Sequence, residues 1–309
     1  MHKYIISRLL ATIPTVVAIS ILVFSMLHFV PGDPVRAMFV ESGGGVTQEQ
    51  IEQIRHLYGL DKPVHIQYLD WMKKVLRGNL GNSIITKQSV SDLIVQNFPS
   101  TLQLTLAGVA LAAVVGVSLG IVAAVWHNTW IDSAMMVLAT VSVSMPSFWL
   151  GLILIYVFYI NLRWVPLTAG SDLRRLALPA VALGLRSSAV IARLVRTSLL
   201  EVMQDDYVRT ARAKGLTERA VIVRHAMRNA LIPVVTVIGL QFGWLLGGTV
   251  ITEQVFARQG IGKLMVAALQ ARDFPMAQGT ILFAGLLYVL VNLIVDVTYG
   301  FLDPRIRYA

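Results

Sequence analysis

The chain has 309 residues, of which 56% are hydrophobic and 14% charged, with a mean hydropathy of +0.68 and a net charge of +9. So few charges cannot cover water-soluble domains of this length. The basic excess sits in loops beside apolar runs, which argues against a nucleic-acid partner. The absence of cysteine excludes disulfides, thiolate metal sites and cysteine nucleophiles.

Lys3 and Arg8 precede an apolar run, Leu9–Val30. The run is longer than the core of a signal peptide, and Pro31-Gly32-Asp33-Pro34 is not a small-residue cleavage site. It reads as a retained first span with the N-terminus inside. Residues 31–97 are expected outside, as a small helical segment with seven Lys/Arg and seven Asp/Glu. Long outer loops cross regardless of charge. Thr47 and Gln50 fit a capping box, and Gly59 fits a helix stop. A second helix is expected over Pro63–Leu76, with Ile66, Leu69, Met72 and Leu76 on one face. Gly78-Asn79-Leu80-Gly81 then makes a turn.

Five further apolar segments follow at roughly Thr101–Trp126, Ser133–Ile160, Ala177–Leu199, Leu231–Ile251 and Met276–Gly300. Each is long enough to cross a bilayer, which takes roughly 20 residues. The reading is an all-α integral membrane protein, one six-span helical bundle over residues 1–309. The second segment carries Gly108, Ala112, Gly116, Gly120 and Ala124 at four-residue spacing. The fifth carries Gly239, Gly243 and Gly247 likewise. Small residues at this spacing let helix backbones approach closely, so these stripes are expected at helix crossings, with a pathway lining as the second reading. Ser142, Ser144, Pro146 and Ser147 mark a proline kink in the third segment, whose freed carbonyls the serines can satisfy, or else a flexing gate. Arg186 lies mid-span in the fourth segment with Arg193 on the same face. They are expected to face the bundle interior or water, with Asp296 available to pair with Arg193 or Arg196.

Between the fourth and fifth segments lies a polar island within residues 200–230. Nine Lys/Arg fall from Arg186 to Arg228, against Glu201, Asp205, Asp206 and Glu218. Short loops rich in Lys/Arg stay in the cytoplasm, and six crossings return Arg305 and Arg307 to the same side. Both termini are therefore expected to be cytoplasmic. The six histidines form no metal-ligand cluster, so no metal is expected. No phosphate-binding loop occurs, so this chain is not expected to bind ATP.

The chain resembles, over its whole length, the permease subunits of ATP-binding-cassette importers of the dipeptide/oligopeptide/nickel type. The pieces that carry the resemblance are Pro31-Gly32-Asp33-Pro34, Tyr58-Gly59-Leu60-Asp61-Lys62-Pro63 and Gly78-Asn79-Leu80-Gly81-Asn82-Ser83. Then come Asp206-Tyr207-Val208-Arg209-Thr210-Ala211-Arg212-Ala213-Lys214-Gly215 and His225-Ala226-Met227-Arg228-Asn229-Ala230-Leu231-Ile232-Pro233. Glu253, Arg272-Asp273-Phe274-Pro275 and Asp303-Pro304-Arg305-Ile306-Arg307 complete the set. The resemblance implies a type I importer permease in a bacterial cytoplasmic membrane. Its partners would be a related second permease, two ATPase subunits holding ATP and magnesium, and an external substrate-binding protein. The solute would be a short peptide or a peptide-like molecule such as glutathione, with nickel or an opine-like compound as the runner-up.

The resemblance also implies that the island is a coupling helix, docked on an ATPase. The general loop signature of such permeases reads Glu-Ala-Ala, three residues, then Gly. Arg209, Thr210 and Ala211 stand at the first three positions, without the acid, and Gly215 matches the glycine. Asp206, Tyr207, Arg209, Thr210, Ala211, Arg212, Lys214 and Gly215 are thus the expected coupling residues. Gly215 would end the helix, Asn229 would cap the next one and Pro233 would lie in its first turn.

Two other classes compete. Gly116-Val117-Ser118-Leu119-Gly120 fits the G-x-S-x-G pattern of serine hydrolases, but it lies in an apolar helical run with no histidine in a later span. A self-sufficient secondary transporter would usually show acids deep in several spans. Here Asp296 alone is well inside one.

Overall fold

The computed structural model of the chain describes residues 2–29, 52, 61–165 and 172–302. The expected capping box at Thr47, the stop at Gly59, and the segments Pro31–Pro34 and Asp303–Arg307 lie outside these residues. The described residues are helical almost throughout, with one isolated bridge between Asn82 and Ser89.

In chain order the helices are α1 His2–Phe29, α2 Val64–Leu76, α3 Val90–Val125, α4 Trp130–Ser144 and α5 Ser147–Leu154, which continues as a π-helix over Ile155–Asn161. Next are α6 Asp172–Val202 and α7 Asp206–Ala213. A turn at Glu218–Ala220 and a π-helix at Val221–Ala226 lead into α8 Met227–Val255. α9 Ile261–Gln270 and α10 Phe274–Leu302 complete the set. Among the described residues, five stretches are long and apolar enough to cross a membrane: Ile6–Met26, Val90–Val125, Arg174–Val202, Glu218–Val255 and Phe274–Thr298. α4 and the stretch Ser147–Asn161 reach that length and apolarity only together, as a pair bent at their junction.

That break is larger than the kink expected of the third segment. α4 and α5 meet at 104°. Pro146 has no N–H for the helix, and its ring pushes the preceding residue out of the α region. Met145 (φ −79, ψ 128) and Pro146 (φ −60, ψ 136) are accordingly both extended, so two residues leave the helix in succession. The hydroxyls of Thr140, Ser142 and Ser144 donate to the carbonyls four residues back at 2.8–3.0 Å, all inside α4, so they bind carbonyls ahead of the break and not, as expected of the serines, the ones the proline frees.

The chain divides into two compact units. One comprises His2–Pro99 and Gln259–Leu293. In it Tyr68 and Trp71 of α2 pack on Phe24 of α1 at ring distances of 5.4 and 5.7 Å, and Ser20 and Tyr68 share a 2.8 Å hydrogen bond. The expected helix is present, but its packed face is the aromatic one, since these rings bury more area. Leu69 and Leu76 stay more than half exposed. Val90, Ile94, Ile261, Ala268, Met276 and Ala277 form the core of this unit. The turn at 78–81 forms as expected, with positive φ at Gly78 and Gly81. The other unit comprises residues 100–258 and the chain from Ile294. Its centre is α6, whose apolar stretch is mostly buried.

Candidate functional site

The polar island folds as α7 and the turn after it. Asp206 lies in the first turn of α7, where a carboxylate suits the positive end of the helix. The helix stops because Gly215 takes φ +77, and its N–H donates to the Arg212 carbonyl at 2.9 Å. This is the expected glycine stop. Val208 and Ala211, three residues apart, turn inward and pack with Val221, Val202 and Met203. Ala211 is thus 5% exposed and faces its own chain. Asp206, Tyr207, Arg209, Thr210, Arg212, Lys214 and Gly215 remain on the surface.

Two polar ties fasten α7 to the chain leading into α8. Arg212 makes a two-pronged ion pair with Glu218, Nη2 to Oε1 at 2.7 Å and Nε to Oε2 at 3.2 Å. Asn229 Nδ2 donates to the Tyr207 hydroxyl at 2.9 Å. Asn229 therefore does not cap a helix: the π-helix at Val221–Ala226 runs unbroken into α8. Pro233 lies at the seventh residue of α8 rather than in a first turn. Sequence periodicity carries no signal for such a π segment. Arg209 and Asp206 approach to 3.6 Å with both side chains in solvent, which contributes little. The result is a charged outer face on a helix tied to the start of a spanning helix.

The glycine stripe of α3 meets α6. A methyl group at Gly116 would lie 2.6 Å from the Ser188 carbonyl oxygen and 2.7 Å from Ile191 Cβ. One at Gly120 would lie 2.6 Å from the Ala192 oxygen and from Val195 Cβ. Gly108 meets Leu183, and Gly184 of α6, which periodicity does not mark, meets the Gly108 oxygen. Ala112 and Ala124 are buried on the same stripe. On α8, Gly239 abuts Val295 and Gly243 is buried. Gly247 has nothing within 4 Å and is not at a crossing. The G-x-S-x-G pattern lies inside α3 without a strand–turn–helix elbow, so the hydrolase geometry is absent.

The charged residues pair differently from expectation. Arg196 grips Asp132 of α4 with Nε and Nη2, both at 2.7 Å, and His127 Nδ1 lies 3.1 Å from Nη2. Asp296 is not its partner, nor that of Arg193. Arg186 and Arg193 are exposed on α6 and have no hydrogen-bond or ion-pair partner among the described residues. An arginine at the centre of a membrane helix costs roughly 2.5–3.5 kcal/mol when it faces lipid. Elsewhere in the same unit, Thr101 donates to the fully buried Glu253 at 2.6 Å. In the other unit, buried Asp273 accepts from Ser83 and from the N–H groups of Ile84 and Met276, tying two of the resemblance segments together. No cluster of three His, Cys, Asp or Glu that could hold a metal occurs among the described residues.

Residues 116–308 match the family described as binding-protein-dependent transport system inner membrane component, and residues 1–105 match the N-terminal part of such components. The chain belongs to this family. It is a transport permease, a multi-pass membrane protein. It is 42% identical to the glutathione transport system permease protein GsiC of Escherichia coli K12, over 100% of both chains. It is 41% identical to GsiC of Salmonella typhi, again over 100% of both. Among solved structures, the inward-facing MetNI methionine ABC transporter aligns with TM-score 0.57 at 18% identity, over 68% of this chain and 96% of that one. An amino acid ABC transporter with histidines aligns with TM-score 0.54 at 16% identity, over 68% and 94%. The permease thus has the type I ABC importer fold.

Proposed function

We propose that this permease forms half of the translocation pathway of an ATP-driven importer of short peptides, with glutathione as the leading solute. The observation that carries this reading is the identity to glutathione permeases over the full length of both chains. A related permease completes the pathway, two ATPase subunits bind ATP and magnesium, and an external binding protein delivers the solute. The setting is a bacterial inner membrane with both termini in the cytoplasm, the basic island on that side, and residues 31–97 outside.

The outer face of α7, with Asp206, Tyr207, Arg209, Thr210 and Lys214, docks on an ATPase. Ala211 and Arg212 act from behind, holding the helix in place, and Gly215 stops it. ATP-driven closure of the ATPases moves α7, and with it α8, while the Met145–Pro146 break lets α4 and α5 shift.

The test is uptake of labelled glutathione into proteoliposomes holding the complete complex. Uptake that needs both ATP inside and binding protein outside supports the reading. ATP hydrolysis stimulated by the loaded binding protein without glutathione uptake contradicts the solute assignment.

A further inference from the structure

The face of α6 that carries Arg186 and Arg193 is left open by the packing of the chain. α6 is the most enclosed of the five long apolar helices, with 67% of its most apolar stretch buried against 33% or less in the other four. Its inner face, with Ser188, Ile191, Ala192 and Val195, is pressed against the glycine stripe of α3. Arg186, Arg193 and Thr197 nevertheless stand exposed, on one side of the helix. Seven residues are just under two turns, so the two arginines lie one above the other, about 10 Å apart along the axis. Other spans expose the residues a lipid surface requires: Leu10, Ile13 and Leu22 on α1, Leu106 and Val114 on α3, Val137 and Leu138 on α4. A pair of unneutralised guanidinium groups cannot share that environment, and intramembrane charges face a bundle interior or a water-filled cavity. Arg196, three residues from Arg193, shows the contrast, since Asp132 already neutralises it.

We propose that Arg186 and Arg193 line the water-filled pathway and bind the carboxylates of an anionic solute. The guanidinium fork matches a carboxylate with two parallel hydrogen bonds. Both forks are carried by a helix whose opposite face is fixed by backbone-close packing, so they are held ready for the solute. A short acidic peptide, with a carboxylate at its end and another on a side chain, is the class of ligand that two cations at this spacing take. The choice of peptide rests on the function proposed above. The anion selectivity does not.

The cysteine-free chain allows a direct test. Arg186→Cys and Arg193→Cys are introduced singly into the assembled importer. Each is labelled with two water-soluble methanethiosulfonates, one bearing a sulfonate and one a trimethylammonium group. Rates are corrected for reaction with a free thiol. The sulfonate reagent is expected to react with Arg193→Cys at least tenfold faster than the cationic one. The preference is lost when Arg186→Gln is added and kept with Arg186→Lys, which separates charge from folding. Equal rates for both reagents would overturn the anion site. Failure to label in the assembled importer, with labelling of the isolated chain in detergent, would show that a partner covers the face and would overturn the proposal too. The two charged thiol reagents are the probes here, so the result stands whether or not the importer takes up glutathione.

Discussion

At Gly120, Gly215 and Gly247 an added methyl group would meet three different things: a packed helix, a forbidden backbone and open space. Gly120→Ala forces α3 away from the Ala192 carbonyl, and overpacking of this kind costs about 1–3 kcal/mol. The thermal midpoint of the purified complex should fall by several degrees, while Gly247→Ala should leave it unchanged. Gly215→Ala puts a side chain at φ +77, costing about 1 kcal/mol, and should fray the end of α7, read as faster hydrogen exchange over residues 211–216. The four-residue spacing makes the α3 stripe legible, because close packing needs a continuous small face. Spacing does not say which members of such a line are packed, and Gly247, in line with Gly239 and Gly243, has nothing within 4 Å. The Arg196–Asp132 grip is not legible at all, since partners 64 positions apart leave no periodic trace. Asp132→Ala leaves Arg196 unpaired and should cost on the order of 3 kcal/mol. Adding Arg196→Ala should cost less than the sum of the two single changes, checked by thermal unfolding of the complex.

Among the elements, α7 is the easiest to read from sequence and the α4–α5 pair the hardest. An acid at the first turn and a glycine at the stop bound α7 on both sides. Its inner face is not legible: Ala211 is expected in the outer contact, and the structure turns it inward with Val208. Pro146 is visible and its effect on Met145 follows from it, but the sequence does not give the size of the turn, a 104° break where a kink is expected. The Arg212–Glu218 pair is the element-scale prediction. Both side chains are partly in solvent, at 39% and 55% exposure, so breaking the pair should change stability by under about 1 kcal/mol. Its effect should appear in coupling instead. Arg212→Ala or Glu218→Ala should retain ATP hydrolysis by the complex while uptake per ATP falls severalfold. The exchanged pair, Arg212→Glu with Glu218→Arg, should recover it. Uptake per ATP unchanged in both single variants would show that α7 is held by its apolar contacts alone.

For the whole molecule, composition and six apolar runs are enough to place the chain in a membrane and to count its spans. The Ser83–Asp273 tie shows what they do not supply, since it joins two polar segments 190 residues apart that read separately as a turn and a loop. Among the described residues, α7 presents a charged exposed face and Arg186 and Arg193 stand on an open one. Both features accord with the complex proposed above. The most direct measurement is reconstitution of this chain by itself in liposomes, beside the complete assembly with its binding protein. The account predicts no ATP hydrolysis and no peptide uptake by the single chain under any ion gradient, and ATP-dependent uptake by the assembly. Concentrative peptide uptake by the single chain, driven by an ion gradient with no ATPase present, would contradict it.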